Sequence, residues 1–257
     1  MNEQKYPQLE QLHVLRTEAL CSIRDRAFDS LQIYTIDHGD GIISGCHLTT
    51  NRDSITLNSG LIRHDDFLYL ILEPMSLPYE PTDEDMILKL VFESPIETEN
   101  FIKRNVELNL THEMSISHNE MELCRFKLKK GAMLRTKYVD FFDRATEFDT
   151  VNTINSPYSA INGSTLSPEI TKAFAIEARD YTLEQLDYNF CLEALSGRAI
   201  NAEQIGFYIE QRLKIESIDW NNKNLYDNLC LILREIQSNG RREIKGQKRR
   251  RREVFVD

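Results

Sequence analysis

Six side chains near the start of the chain carry groups able to do chemistry: His38, Asp40, His47, His64, Asp65 and Asp66. Imidazoles and carboxylates at that density can hold a divalent cation or share acid–base work, which gives a metal-dependent hydrolase reading. Their spacing argues against it. Zinc ligands come as close pairs backed by cysteine or by a third ligand nearby, whereas these histidines sit in Gly- and Asp-rich stretches that suit reversals. His112 and His118, with Glu113 and Glu120 beside them, flank a proposed hairpin with "SHNE" (117–120) as its tip, and across an antiparallel pair the two histidines could face one another. Exposed hairpin polarity accounts for them. No G-x-S-x-G elbow occurs, and the abundant carboxylates show no distinctive pairing.

The glycines of "DHGDGIISGCHL" (37–48) raise a different chemistry, a phosphate cradle. Neither G-x-x-x-x-G-K-[S/T] nor G-x-G-x-x-G is present, Asp40 would repel a phosphate, and β-type residues rather than a helix start follow Gly41. These glycines therefore read as turn positions. The expectation is a chain without catalysis, metal or cofactor.

The loudest charge signal is "KGQKRRRRE". Across 241–253, eight Lys/Arg against two Glu give +6, so with a total of −10 the rest of the chain carries −16. Lys248, Arg249, Arg250, Arg251 and Arg252 could contact phosphates, which gives a second reading as a cytoplasmic nucleic-acid-associated protein. No aromatic residue interleaves them, so base stacking is unsupported. A solvated tail, or one docking electrostatically on an acidic partner or a neighbouring copy, fits better, and nucleic acid is the less favoured partner. Five scattered cysteines without C-x-x-C fit reduced thiols of the cytoplasm. The polar start "MNEQKYPQLEQ" lacks a signal-peptide core. The longest unbroken apolar run, Phe67 to Leu72, is far short of the ~20 residues that cross a bilayer, so no membrane insertion is expected.

The elements that must position these residues follow from periodicity. Leu12, Leu15, Ala19, Ile23, Ala27 and Leu31 recur at helical spacing, predicting an amphipathic helix with one core stripe within 1–36. Period-two alternation then predicts strands over a β domain at 37–135, with reversals at "NSG" (58–60) and "HDD" (64–66) and a Pro-rich connection at Pro74, Pro78 and Pro81. "FLYLIL" is apolar throughout and reads as a strand covered on both faces. Phe67, Tyr69 and Leu72 are its candidate core or contact positions. Asn, Ser, Thr and Pro dominate the stretch before 167, read as a linker or long loop over 136–166. A helical domain at 167–240 is signalled by Ser167-Pro168-Glu169, by a capping box at Thr182-Leu183-Glu184-Gln185, by stops at Gly197 and Gly240, and by Asn201 as a start. A basic flexible tail, 241–257, closes an α+β chain.

"GDGIISGCHL" followed by "ITLNSGLIRHDDFLYLI" resembles the β shoulder region of phage tail and baseplate proteins. It is similar to the N-terminal domain of the type VI secretion baseplate adaptor and of tail receptor-binding proteins. It resembles still more the tail-module proteins of prophages and contractile phage-tail-like bacteriocins. The likeness covers residues 9–135. It implies an antiparallel β-sandwich or barrel-like shoulder, with Gly41, Ile42, Ile43, Ser44 and Gly45 as one corner and Ser59, Gly60 and Leu61 as another. It implies a non-enzymatic baseplate part that links baseplate proteins or attaches receptor-binding fibres. The partners would be other baseplate or tail proteins and the fibre, in a homo-oligomer or a hetero-oligomeric assembly. Such a part resides in the bacterial cytoplasm during assembly and then in a released particle. Two departures stand out: "NSG" replaces the Ser-Pro-Gly of many relatives, and the basic tail has no counterpart.

Overall fold

Alternating side chains on short extended runs cannot bury an apolar face alone, so strands of this kind stack into layers. The computed structural model describes residues 7, 14, 16–216 and 219–239, and in it the chain folds as a mixed α+β protein. After helix α1 (Thr17–Tyr34) come β1 (Gly41–Gly45), β2 (Leu48–Thr50), β3 (Ser54–Leu57), β4 (Gly60–His64), β5 (Phe67–Ile71), β6 (Met75–Pro78) and β7 (Asp85–Phe92). Then follow β8 (Ile96–Glu97), β9 (Ile102–Lys103), β10 (Val106–Thr111), β11 (Glu120–Lys127), a 3-10 turn (Phe142–Ala145), β12 (Tyr158–Ala160) and β13 (Gly163–Thr165). Four helices end the described chain: α2 (Pro168–Ala178), α3 (Gln185–Leu195), α4 (Ala202–Leu213) and α5 (Asn222–Asn239).

The strands form a five-stranded sheet ordered β13-β12-β1-β4-β5, three-stranded sheets β10-β7-β11 and β2-β3-β6, and the small β8-β9 pair. Among the described residues no closed barrel forms. Ile42, Ile62, Tyr69 and Ile71 from the first sheet, Ile55 and Leu57 from another, and Leu88, Leu90, Met121 and Leu123 from the third share one core. Within 37–135 the strand pairings are antiparallel, and the parallel pairing is that of β1 with β12, from beyond that range. That pairing corrects the reading of 136–166 as a linker. This stretch supplies two strands of the main sheet, and its Asn/Ser/Thr content serves turns and side-chain hydrogen bonds.

Three further expectations change. β10 and β11 do not form a hairpin, because each pairs with β7 between them. Pro78 closes strand β6 instead of lying in a loop. The predicted core stripe of the first helix is not buried; no residue of α1 is, and Leu12 and Leu15 lie outside the described residues.

The helices start where short polar side chains can take orphan amides. Ser167 accepts from the Glu169 amide with Pro168 at the first helical position, and Asn201 accepts from the Glu203 amide. The capping box falls two residues later than expected, on Glu184 and Asp187. Gly197 stands at φ 73° just beyond α3, and Gly240, expected to stop α5, lies outside the described residues. An aromatic cluster centres the helical core: Phe141 on Phe174 at 5.7 Å, Phe174 on Phe190 at 5.6 Å, and Phe190 stacked on Tyr208 at 4.1 Å. Asp187, 1% exposed, accepts from the Tyr208 hydroxyl at 2.9 Å and from Arg212 at 3.0 Å.

Two outcomes follow from this packing. Asp187→Ala leaves the buried Tyr208 hydroxyl without its acceptor and removes one of the carboxylates on Arg212, which keeps Glu235 at 2.9 Å, and is expected to cost about 1–3 kcal/mol in urea unfolding. Gly45 sits at φ 68°, and a Cβ there would fall 2.3 Å from the Ser59 carbonyl oxygen, whereas one at Gly131 (φ 87°) meets nothing. Gly131→Ala should therefore cost only the left-handed backbone penalty of about 1–2 kcal/mol, and Gly45→Ala clearly more.

Candidate interaction surface

The two glycine motifs meet. β1 and β4 run antiparallel with Ser44 opposite Leu61 and Gly45 opposite Gly60, and the register shifts between Ile42 and Ser44. Gly41–Gly45, expected as a corner, is thus a strand with a bulge at Ile43. The bend falls just after it, where Gly45 and Cys46 both take positive φ. Gly60 lets the chains close up: a Cβ there would fall 2.4 Å from Cys46 Sγ. These glycines serve close backbone approach, and no anion cradle is built from them.

Above this paired backbone opens a cleft of about 720 Å³. Ser44, Gly45, Ser59, Gly60 and Leu61 line it, together with Phe67 and Leu72. Gly41, Ile42 and Ile43 are not among the lining residues, nor is Tyr69. The far wall is α1, through Ala27, Phe28 and Leu31. Because Gly45 faces Gly60, part of the floor carries no side chain, and the cleft stays open over backbone. Alternation sorts β5: Tyr69 and Ile71 point into the core, while Leu70 on the other face is 64% exposed. The strand expected to be covered on both faces is therefore covered on one. Tyr69 packs on Phe92 at 4.7 Å and Phe67 at 5.1 Å, Arg104 lies 4.2 Å over the Phe67 ring, and Leu72 is 72% exposed.

Helix α1 is fastened at its C-terminal end. Thr35, buried, donates its hydroxyl to the Leu31 carbonyl at 2.9 Å, and the Thr35 carbonyl accepts from buried Arg63 at 3.2 Å. Upstream, Leu20, Ile23, Phe28 and Leu31 keep about half of their surface in solvent. An isolated helix of this length is marginal in water, and packing of its apolar face normally supplies its stability. Sequence reasoning missed these residues as surface, since a helical stripe looks the same whether its own core or a neighbour covers it.

The titratable candidates are dispersed into structural contacts. His47 pairs with Glu169 at 3.2 Å, and His38 Nδ1 lies 3.3 Å from Ser159 Oγ. Arg63 binds Asp66 at 2.7 Å and approaches Asp40 at 3.5 Å. Asp65 and Asp66, both at positive φ, make the β4–β5 reversal. His112 lies 3.3 Å from Glu84, while His118 turns toward His64 at 6.0 Å between ring centroids. The two never face each other, because β7 separates their strands. Lys89, 2% exposed, holds Glu120 at 3.0 Å. Among the described residues no three of His, Cys, Asp and Glu gather in a way that could hold a metal ion. Burial pushes the thiols of Cys46 and Cys191 up to about 12, out of nucleophilic range. Lys248, Arg249, Arg250, Arg251 and Arg252 lie outside the described residues.

No family model and no curated protein matches this sequence. Among solved structures, the crystal structure of TssK is similar in coarse outline, at 10% sequence identity and a TM-score of 0.42, over 91% of this chain and 72% of that one.

His64 generates a test. Its ring, 8% exposed, stacks on Phe92 at 3.9 Å. Burial lowers its pKa below the ordinary 6.5, Asp40 and Asp65 push the other way, and His118 acts in both directions, its ring charge lowering and its backbone hydrogen bond raising. The folded state thus binds this proton less well than the unfolded chain, so stability is full above pH 6.5 and falls as pH drops through that value. In His64→Phe the denaturation midpoint should depend less on pH between 7 and 5 than in the parent chain.

Proposed function

We propose that this chain is a non-catalytic structural subunit of a contractile phage-tail-like particle, a baseplate component that links baseplate proteins or attaches receptor-binding fibres. One observation carries the reading. The Gly-Ser motifs that resemble tail shoulder domains converge on an outward-facing apolar cleft walled by an uncovered helix. Monomeric soluble proteins rarely leave contiguous apolar patches beyond a few hundred Å² unless something binds there. The cleft lining offers no charged side chain, which suits protein contact better than turnover of a polar substrate.

On this reading the chain acts by holding neighbours. The β layers set the orientation of the cleft, the helical domain gives a second attachment body, and the acidic described part leaves the basic 241–253 stretch as an electrostatic contact. Its partners are other baseplate or tail proteins and the receptor-binding fibre. It resides in the bacterial cytoplasm during assembly and afterwards in the released particle.

Deleting the gene from a producing strain tests this directly. Electron micrographs of the deletion strain should show loss of complete contractile particles, restored when the intact chain is supplied in trans. Mass spectrometry of purified parental particles should find the chain. Intact, active particles from the deletion strain, together with absence of the chain from parental particles, would sink the proposal.

A further inference from the structure

We infer that a second copy of this chain covers the α1–β5 face. The inference rests on the reading of the chain as an assembly subunit and names its first neighbour. Leu20, Ile23, Phe28, Leu31, Leu70 and Leu72 each keep between 45% and 72% of their surface open. Taking roughly 150–200 Å² for a whole large apolar residue, these six leave on the order of 500 Å² uncovered. A stable interface of ordinary size buries about 800 Å² per partner, so they supply more than half before the half-buried leucines beside them count. A single loop laid in the cleft would leave Leu20 and Ile23, farther up the helix, in water. A second copy brings both a helix and a strand of matching character.

The strand edge adds an independent reason. β5 ends the five-stranded sheet, and its sequence, Phe-Leu-Tyr-Leu-Ile, contains no Pro, Lys or other charge. Exposed edges normally carry such devices to prevent pairing. An edge without them is a template for another strand, and antiparallel pairing of β5 with its own copy satisfies a twofold axis with the same groups on both sides. The apolar faces of both α1 helices then meet above the joined sheets.

Sedimentation of the full chain over a range up to tens of micromolar tests this. The expected result is twice the chain mass for the parent. For Leu70→Asp/Leu72→Asp, altered only at exposed positions, association should weaken at least a hundredfold. Fluorescence of Trp220, packed against Gly206 in the helical domain, and far-UV circular dichroism check that the variant is folded. Should it not fold, the single change Leu70→Lys takes its place. A parent that sediments as one chain throughout overturns the inference, as does a folded variant that keeps the parental mass. A single-chain parent that is still found in purified particles would remove this interface and leave the assembly reading standing. A self-associating chain absent from particles would do the reverse.

Discussion

The parallel pairing of β1 with β12 is the constraint on which the rest of the molecule depends. Ile42 sits beside Tyr158 in register, the Ile42 amide donates to the Pro157 carbonyl at 2.9 Å, and the Gly39 amide donates to the Ala160 carbonyl at 3.0 Å. Gly41 must be glycine for this approach, since a Cβ there would fall 2.7 Å from the Ser159 amide nitrogen. Once residues 158–165 are inserted, they carry the helical part with them. Thr165 donates its hydroxyl to the Ile200 carbonyl at 2.6 Å, and the Asn222 amide group donates to Ser156 and Thr165 carbonyls at 3.1 and 3.2 Å. Tyr226 donates to the Phe141 carbonyl at 2.8 Å. The strand return thus joins the two cores, beside the direct His47–Glu169 pair.

That arrangement also decides which side of the main sheet is left open. β13 forms one edge and α4 packs against it, so the helical part shields that end. β5 forms the other edge, beneath α1, and nothing among the described residues completes it. The same insertion that builds the core therefore leaves the molecule with one shielded sheet edge and one that no described strand pairs. The glycine-paired floor between β1 and β4 opens on the cleft beside that edge, so the motif legible in the sequence coincides with a surface that no described residue closes over.

What the sequence disclosed, and what it withheld, divides along the range of the interactions. Local chemistry was legible. Ser167-Pro168-Glu169 and Asn201 start helices because a side-chain oxygen two residues from an orphan amide is a contact within a single turn. Asp65-Asp66 reverses the chain for a similarly local reason. Leu225, Leu229, Ile232 and Ile236 recur at helical spacing and are buried on α5. Pairings across distance were not legible. Nothing in "SPYSA" or "GST" announces that these residues enter a sheet begun more than a hundred residues earlier, and polar composition there resembles a loop. Likewise Val106–Thr111 and Glu120–Lys127 look like consecutive hairpin strands, since period two records a face and not a partner. Of the seven cleft residues named from the sequence, Ser44, Gly45, Ser59, Gly60 and Leu61 belong to the glycine motif, while Phe67 and Leu72 stood out as core or contact positions of an apolar run. Their opposite wall, α1, was not legible, because apolar spacing is silent about who does the covering.

The strand return has a temporal side. β1 leaves the ribosome early, yet its neighbour β12 lies some 115 residues further along, and contacts so remote in sequence form slowly. During synthesis the chain therefore passes through an interval in which the Ile42 strand has only its β4 side occupied. Vectorial folding at about 5–20 residues per second stretches that interval to several seconds or more. Premature capture of the waiting strand by another nascent chain is the hazard peculiar to this topology, and it ends only when Tyr158 arrives.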